Sequence, residues 1–313
     1  MQDRARERRA STAGGILAIA LWSCTVAVSR ELSETLGATT AAATMLLLGG
    51  VLGCLHAAVI ERRLGEIFRL SRAYLLGCGS LFVTYMVCLY LAIGLSTSRQ
   101  QAIEIGIINY LWPGLTLLLS VPIVGTRVRW TFAPGVALAL LGAMLAPLRL
   151  GEYSAAALAD NLLAHPLPYL LALGAALSWA LYSVLSRRWG ASAAGGVPIF
   201  TLAAGVVLAL LRLGIPERTT WTAWATGLVL FMAVCPILVA YALWDRAMRR
   251  GNVTLVAALS NFAPLLSTVV SALWLHVSLG WNLWFACGLV VAGAAMCQRS
   301  VIAQSADDPA SPG

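Results

Sequence analysis

Two asparagines and two prolines stand out because each lies inside a long apolar stretch of the chain. Asn109 precedes Pro113, and Asn261 precedes Pro264. An asparagine amide both donates and accepts hydrogen bonds, whereas a proline has no amide hydrogen and leaves an earlier carbonyl oxygen without its helical partner. These residues predict polar binding groups beside two hinges. A kink that serves packing alone is the alternative for each proline.

Glu104 is the acidic residue that lies well inside an apolar stretch. If that stretch crosses a membrane, the carboxylate is costly and indicates a function, here possible proton or cation coupling. The residue lies only a few positions from the predicted outer end of its stretch, so a solvated structural carboxylate is the alternative. Five residues at about 100° each separate Glu104 from Asn109 by about 140° around a helix, so only a wide cavity could use both.

Aromatic residues near the middle of the apolar stretches are candidates to line a binding pocket. Core packing is the alternative for each of them taken alone. Together with the two amides, they predict a substrate-binding site for a small zwitterionic or aromatic solute. These residues are Trp22, Tyr85, Tyr110, Trp112, Trp179, Tyr182 and Phe262.

The composition indicates a membrane protein. Of the 313 residues, 60% are hydrophobic and 11% are charged, and the mean hydropathy is +0.83. Soluble domains carry about 25% charged residues. The net charge of +8 comes from arginines in short runs between apolar stretches, a pattern typical of topology-setting loops rather than of a nucleic-acid groove. We therefore exclude nucleic-acid readers, secreted disulfide scaffolds and cytosolic enzymes.

Uninterrupted apolar windows predict ten transmembrane helices. Their approximate bounds are residues 13–29, 38–60, 73–95, 102–124, 131–148, 166–186, 195–215, 221–244, 253–276 and 281–297. If the N-terminus is cytoplasmic, 16 of the 21 arginines fall in inner segments. The five arginines in outer segments are Arg30, Arg99, Arg149, Arg212 and Arg218. This split follows the positive-inside rule and predicts that both termini are cytoplasmic.

The two halves of the chain resemble each other. The segment LAIALWSCTVAVSR at 17–30 aligns with GAALSWALYSVLSR at 174–187, and NYLWPGLTLLLS at 109–120 resembles NFAPLLSTVVSA at 261–272. Because five spans is an odd number, the second copy must cross the membrane in the opposite sense, as in many secondary transporters. We expect an all-α membrane protein of two inverted five-helix repeats, residues 1–150 and 151–300, with a disordered cytoplasmic tail at 301–313.

Residues suited to enzymatic chemistry are sparse. His56, His165 and His276 are scattered, and the chain has no HExxH, GxSxG or P-loop motif. The seven cysteines lie in or at the ends of apolar segments without a CxxC pair, so we interpret them as packing residues. The sequence predicts that the protein is not an enzyme and has no metal site and no cofactor.

The ten-span pattern, Trp22 and the stretch YALWDRAMRRGNVTLVAALSNFAPLLS at 241–267 resemble the drug/metabolite transporter superfamily, in particular its EamA-type exporters. The segment AIEIGIINYLWPGLTLLLS at 102–120 is similar to that of bacterial aromatic amino-acid exporters in this family. The resemblance implies export of amino acids by alternating access without ATP. It also implies that one helix borders a central cavity, with Glu104, Asn109, Tyr110, Trp112 and Pro113. The repeat-related residues that face the cavity from the other half are Asn261, Phe262 and Pro264.

One departure from the resemblance is visible. Many members of the family have an acidic residue soon after spans 4 and 9, where this chain has VGTRVRW and HVSLGW. A coupling or gating role of that acid is therefore not carried over to this chain.

We therefore predict a bacterial inner-membrane exporter of amino acids, aromatic and other apolar ones, with a cavity at the midplane. The predicted partners are the small-molecule substrate and membrane lipid, with no nucleic acid and no obligate protein partner. A multidrug or cationic-compound exporter that uses Glu104 as counter-charge is the alternative. An intramembrane enzyme and a membrane scaffold are disfavoured, because catalytic clusters and large extramembrane segments are missing from the sequence.

Overall fold

A computed structural model describes residues 2–60, 70–125, 127–145, 163–189, 196–250, 253–260 and 262–302. These residues are helical apart from short connections. In chain order the α-helices are α1 (Gln2–Ser23), α2 (Thr25–Leu36), α3 (Ala38–Val59), α4 (Gly79–Gly94), α5 (Arg99–Asn109), α6 (Trp112–Val124), α7 (Phe132–Leu145), α8 (Pro166–Trp189), α9 (Gly196–Gly214), α10 (Ala223–Met232), α11 (Ala240–Arg250), α12 (Val253–Ser260), α13 (Ala263–Leu275) and α14 (Trp281–Ser300). Two π-helical segments, Ala73–Cys78 and Ala233–Val239, lead into α4 and α11.

Eight segments of the described chain are long and apolar enough to cross a membrane. They are Arg6–Leu36, Ala38–Val59, Ala73–Gly94, Arg99–Ile123, Pro166–Ser186, Gly196–Gly214, Ala223–Trp244 and Trp281–Ser300. Two shorter apolar helices, Phe132–Ala143 and Ala263–Leu275, lie where the sequence predicts the fifth and ninth spans. The chain is thus an all-helical, multi-pass membrane protein.

The helices whose backbones approach most closely meet at glycines. A Cβ atom added at Gly50 of α3 would lie 2.6 Å from the backbone of Leu202 in α9, and one at Gly293 of α14 would lie 2.5 Å from the Ala139 amide nitrogen in α7. Lipid is as apolar as the helix surfaces, so close van der Waals packing at small residues holds such helices together. Two helix pairs, α3 with α9 and α7 with α14, therefore flank the bundle.

Proline interrupts two of the spans. Helix α5 ends at Asn109 and α6 begins at Trp112, with Pro113 in its first turn. Similarly, α12 ends at Ser260 and α13 begins at Ala263, with Pro264 in its first turn. The sequence predicts kinks here, whereas the structure has separate helices, because a proline is well accommodated in a first turn where amide hydrogens lack helical partners anyway.

The distal end of the bundle is the end where α2 finishes and α3 begins. There the carboxylate of Glu217 accepts hydrogen bonds from the amides of Thr39 at 2.8 Å and Thr40 at 3.0 Å and so caps α3. Gly37 has φ +89°, and a Cβ there would lie 2.5 Å from a Glu217 oxygen. Burial acts to raise the pKa of the Glu217 carboxyl, but the hydrogen bonds from Thr39 and Thr40 hold that pKa below its usual range.

The start of the predicted tail is ordered at the opposite end of the bundle. Val301 forms an antiparallel bridge with Val128, and the Ile302 amide donates to the Arg127 carbonyl oxygen at 2.9 Å. The Arg129 amide donates to the Ser300 carbonyl oxygen at 2.8 Å. The sequence predicts disorder from residue 301 onward, whereas residues 301 and 302 form backbone contacts with the α6–α7 connection. The rest of the predicted tail lies outside the described residues.

Candidate functional site

A cavity lies at the centre of the bundle, where the two interrupted spans meet the first span. It contains about 920 Å³ of space between side chains, including space open to the surroundings. The predicted residues that line it are Trp22, Tyr85, Asn109, Tyr110, Trp112 and Trp179. Sites for small molecules are concave, largely apolar and carry few polar groups. The cavity has this character, since the described residues that line it include neither an acidic nor a basic side chain.

Two tryptophans contribute aromatic walls to the cavity. Trp179 of α8 packs against Tyr85, with ring centroids 4.6 Å apart, and against Trp112 at 6.2 Å. Trp22 of α1 packs against Tyr241 at 5.1 Å, and its indole nitrogen donates to the carbonyl oxygen of Pro236 at 3.0 Å. Each wall is thus an aromatic group fixed by neighbours from other helices, with faces and edges suited to an aromatic solute.

Asn109 supplies the polar group of the cavity. It is the last residue of α5, it lines the cavity together with Tyr85, and it is 7% exposed. Its Oδ1 atom is buried without a hydrogen-bond partner in the described part of the chain. A buried acceptor without a partner carries an energetic penalty that a ligand donor relieves. Pro113 also leaves the Asn109 carbonyl oxygen without its usual helical donor. The end of α5 can therefore accept hydrogen bonds from a ligand.

Glu104 lies apart from the cavity, on the side of α5 that faces α8. It is buried, and its oxygens accept hydrogen bonds from the Tyr169 hydroxyl at 2.6 Å and the Gln100 amide at 3.2 Å. It does not line the cavity, whereas Asn109 does. The carboxylate is therefore held between helices rather than presented to the central space.

Four other predicted site residues, all within the described chain, do not line the cavity. Tyr182 lies behind the wall, with its ring 5.3 Å from Trp179, and the Phe262 side chain is 54% exposed. Pro113 and Pro264 lie in the first turns of α6 and α13, beside the helix interruptions. Asn261 lies outside the described residues.

Several residues that line the cavity were not predicted from the sequence. Tyr241 and Trp244 line the cavity from α11, and Tyr90 lines it although it lies 140° around the helix from Tyr85. The remaining lining residues are Ile19, Thr25, Val26, Met86, Leu89, Pro236, Ile237, Ser260 and Ala263. The aromatic residues in YALWDR were a usable signal, because they precede the charged end of a span at one-turn spacing.

Among the described residues, no group of three or more histidine, cysteine, aspartate or glutamate side chains is placed to hold a metal ion.

The EamA-like transporter family model matches the chain twice, over residues 11–147 and 166–297. The chain belongs to this family. The two matches cover most of the described helices and place the helix interruptions at Asn109 and Ser260 in different copies.

Three relatives of the chain have the same name. The aromatic amino acid exporter YddG of Salmonella typhimurium is 33% identical over 283 residues, which is 90% of this chain and 94% of that protein. The protein of the same name from Escherichia coli is 32% identical over 93% of this chain and 97% of its own length. A third, from Ancylobacter novellus, is 31% identical over 92% of this chain and 97% of its length.

A solved structure, described only as a crystal structure of a protein, is similar over nearly the whole chain. The TM-score is 0.65 at 30% sequence identity, and the similarity covers 93% of this chain and 97% of that one. The helical arrangement is therefore shared with a structure determined by experiment.

Proposed function

We propose that the protein exports aromatic and other apolar amino acids across a bacterial inner membrane by alternating access through the central cavity. The observation that carries this proposal is the pairing of aromatic walls with the unpartnered Oδ1 of Asn109. An ammonium group is a donor for that oxygen, and the rings of Trp22 and Trp179 offer apolar surface to an aromatic or aliphatic side chain. The relatives named aromatic amino acid exporter YddG agree with this substrate class.

We propose further that the chain forms ten spans in two inverted five-helix repeats. The packing of the helices supports this arrangement, because helices in equivalent positions pack together, α3 with α9 and α7 with α14. Under the same relation, contact between α4 and α8 corresponds to contact between α11 and α1, and both contacts occur. The interrupted spans also occupy equivalent places. Such repeats permit alternating access when the two halves exchange conformations.

The proposed orientation places both termini in the cytoplasm and the distal end at the periplasmic face. Its support is the arginine distribution, with five outer arginines among the 21. Residues 1–150 and 151–300 then form the two repeats. The proposal describes a transporter rather than an enzyme, with a small-molecule substrate and lipid as partners.

Counterflow of labelled phenylalanine and tryptophan into liposomes that contain the purified protein tests this function. We expect uptake driven by unlabelled internal amino acid, with or without an imposed pH gradient. An organic cation in the same panel provides the contrast. Uptake of the cation without uptake of any amino acid would contradict the proposal and support the alternative exporter class.

Asn109→Leu tests the site within the same assay. It removes the acceptor oxygen but keeps a similar volume, so we expect transport efficiency to fall about tenfold or more, as a lost hydrogen bond to a charged group would cause. The amount of purified, monodisperse protein serves as the control for folding. Unchanged counterflow in a well-folded Asn109→Leu protein would refute the role of this oxygen.

A further inference from the structure

Three helices form a continuous contact between the cavity and the distal end. On α13, Ala263 lines the cavity, Ser267 and Ser271 follow at one-turn intervals, and Leu275 ends the helix. On α5, the residues at 106, 103 and 99 step in the same direction, with Tyr110 directly after the end of the helix, and on α2 the residues at 26, 30 and 34 do so. Residues at three- and four-residue spacing share one face of a helix. These three faces, from α2, α5 and α13, are called the seam.

Tyr110 forms the inner closure of the seam. It lines the central cavity and also a smaller pocket on the distal side, too narrow in this conformation to hold a water molecule, together with Val26, Gly106 and Ser267. One aromatic ring thus separates two spaces that lie in sequence along the seam.

The smaller pocket is polar on its α13 side. Ser267, Thr268 and Ser271 line it, and the Ser271 hydroxyl is buried without a hydrogen-bond partner among the described residues. A hydroxyl in apolar surroundings is costly unless water or another donor reaches it. This arrangement suits a path that is filled with water in another conformation.

Charged residues close the seam at its distal end. Glu34 of α2 pairs with Arg99 of α5 at 2.7 Å and with Arg30 at 3.0 Å. The Arg99 guanidinium also donates to the Leu275 carbonyl oxygen at the end of α13, at 3.1 Å, where a cation is favourable. The Arg30 guanidinium donates to the Ser96 hydroxyl at 2.9 Å, in the connection that precedes α5. One cluster thus joins all three helices of the seam.

Glu31, in the same turn of α2 as Arg30 and Glu34, connects α2 to α10 and α13. Its carboxylate accepts hydrogen bonds from the indole nitrogens of Trp224 and Trp274, whose rings stack with an interplanar angle of 12°. Trp274 belongs to α13 and Trp224 to α10. Movement of α2 away from α13 would therefore break these contacts together with the charged cluster.

We propose that Arg30, Glu34 and Arg99 form a latch that holds the distal end of the seam shut, and that substrate leaves between α2, α5 and α13 when the latch opens. This inference rests on the proposed transport function and its orientation, in which the distal end is periplasmic. The seam supplies the outward path, and the latch is broken in the outward-open state and made in the conformation described above.

The sequence shows that the latch belongs to one repeat. The alignment that places Arg30 on Arg187 places Ala191 at the position of Glu34. Likewise, the alignment of Asn109 with Asn261 places Gly251 at the position of Arg99. The second repeat therefore has no charged pair at the corresponding positions. The latch stabilises closure at one face selectively, so its removal shifts the population of states toward the outward-open one.

Reactivity of a buried cysteine along the seam tests the latch. The parent for this test is the full chain with its seven cysteines replaced and Ser271→Cys as reporter, in membranes whose distal face is accessible. An impermeant methanethiosulfonate reagent is applied from that face. Adding Glu34→Gln should raise the modification rate about fivefold, which corresponds to the loss of about 1 kcal/mol of ion-pair energy.

Two further variants sharpen the test. Glu217→Gln breaks another distal ion pair, with Arg212 at 3.4 Å, that lies outside the seam, and it should leave the rate unchanged. Arg99→Gln should raise the rate, and it keeps the test available if Glu34→Gln does not accumulate. The double variant should raise the rate by less than the product of the two single effects, because both single variants remove the Glu34–Arg99 pair.

Equal rates in the parent, Glu34→Gln and Arg99→Gln would overturn the latch, as would an equal rise in Glu217→Gln. Modification of Ser271→Cys only from the opposite face would overturn the outward path. The chemical readout needs no substrate. A parent that shows the expected rates but no amino-acid counterflow would therefore refute the proposed substrate while the latch stands.

Discussion

At the scale of single residues, Trp22 and Trp179 of the cavity differ from the tryptophans at helix ends. Trp179 contacts Tyr85, Trp112 and Tyr182 through its ring, whereas Trp281 is 83% exposed at the start of α14. An indole fixed by several neighbours offers a preorganised surface to a ligand. An exposed indole at a span end instead anchors the helix at the membrane interface.

This contrast predicts the effect of two matched substitutions. Trp179→Ala should raise the half-saturating concentration of phenylalanine and tryptophan about tenfold, because it removes an aromatic contact and widens the cavity. Trp281→Ala should leave that concentration unchanged. Counterflow measured over a range of substrate concentrations checks both, with protein yield as the control. A similar loss in the two variants would indicate a general folding defect rather than a binding role.

At the scale of helices, the interruption between α5 and α6 sets the position of Asn109 and Tyr110. Pro113→Ala restores an amide hydrogen that can donate to the Asn109 carbonyl oxygen, so the two helices can join and carry both residues out of place. We expect transport to fall at least about fivefold while the protein still folds, because the restored helical hydrogen bond offsets the entropy that the unfolded chain gains without the proline. Pro122→Ala, in the same helix α6 but exposed, is the matched control. Equal activities of the two variants would argue against the interruption as a functional element.

The cap of α3 makes a second element-scale prediction. The folded-state pKa of Glu217 lies below its ordinary value of 4.5. The carboxylate therefore contributes stability above about pH 4.5, and this contribution is lost as the pH falls through the lower folded-state pKa. The thermal midpoint of the parent should exceed that of Glu217→Gln at neutral pH, and the difference should vanish in acid. A difference that persists below the folded-state pKa would contradict this cap.

The helices also explain which site residues could be predicted from the sequence. Trp22 and Asn109 lie in the last turns of α1 and α5, before the breaks that follow, and Tyr85 lies in the interior of α4, so helical spacing holds up to each of them. Phe262 follows an interruption, so the periodicity of α12 does not carry over to it, and it is exposed. Tyr241 follows the π-helical segment Ala233–Val239, whose wider turns shift the phase of the helix that follows.

At the scale of the whole molecule, composition predicts a membrane protein and repeated segments predict two inverted halves, but neither gives the depth or width of the cavity. Those depend on how the flanking pairs pack. The glycine contacts of α3 with α9 and α7 with α14 bring backbones together, and the central helices take up the space that remains. Tyr90 illustrates the consequence. The cavity reaches around α4 far enough to include it as well as Tyr85.

The orientation of the bundle in the membrane decides whether the latch faces the periplasm. Arg218 lies in the connection between α9 and α10 at the distal end, and Arg188 lies near the end of α8 at the opposite end; both are exposed. In a cysteine-free chain, Arg218→Cys should react with an impermeant maleimide on intact cells, whereas Arg188→Cys should react only after permeabilisation. The substitution of one arginine leaves the excess on the cytoplasmic side intact, so neither change should invert the chain. The reverse pattern would place the latch at the cytoplasmic face, where its opening would admit substrate instead of releasing it.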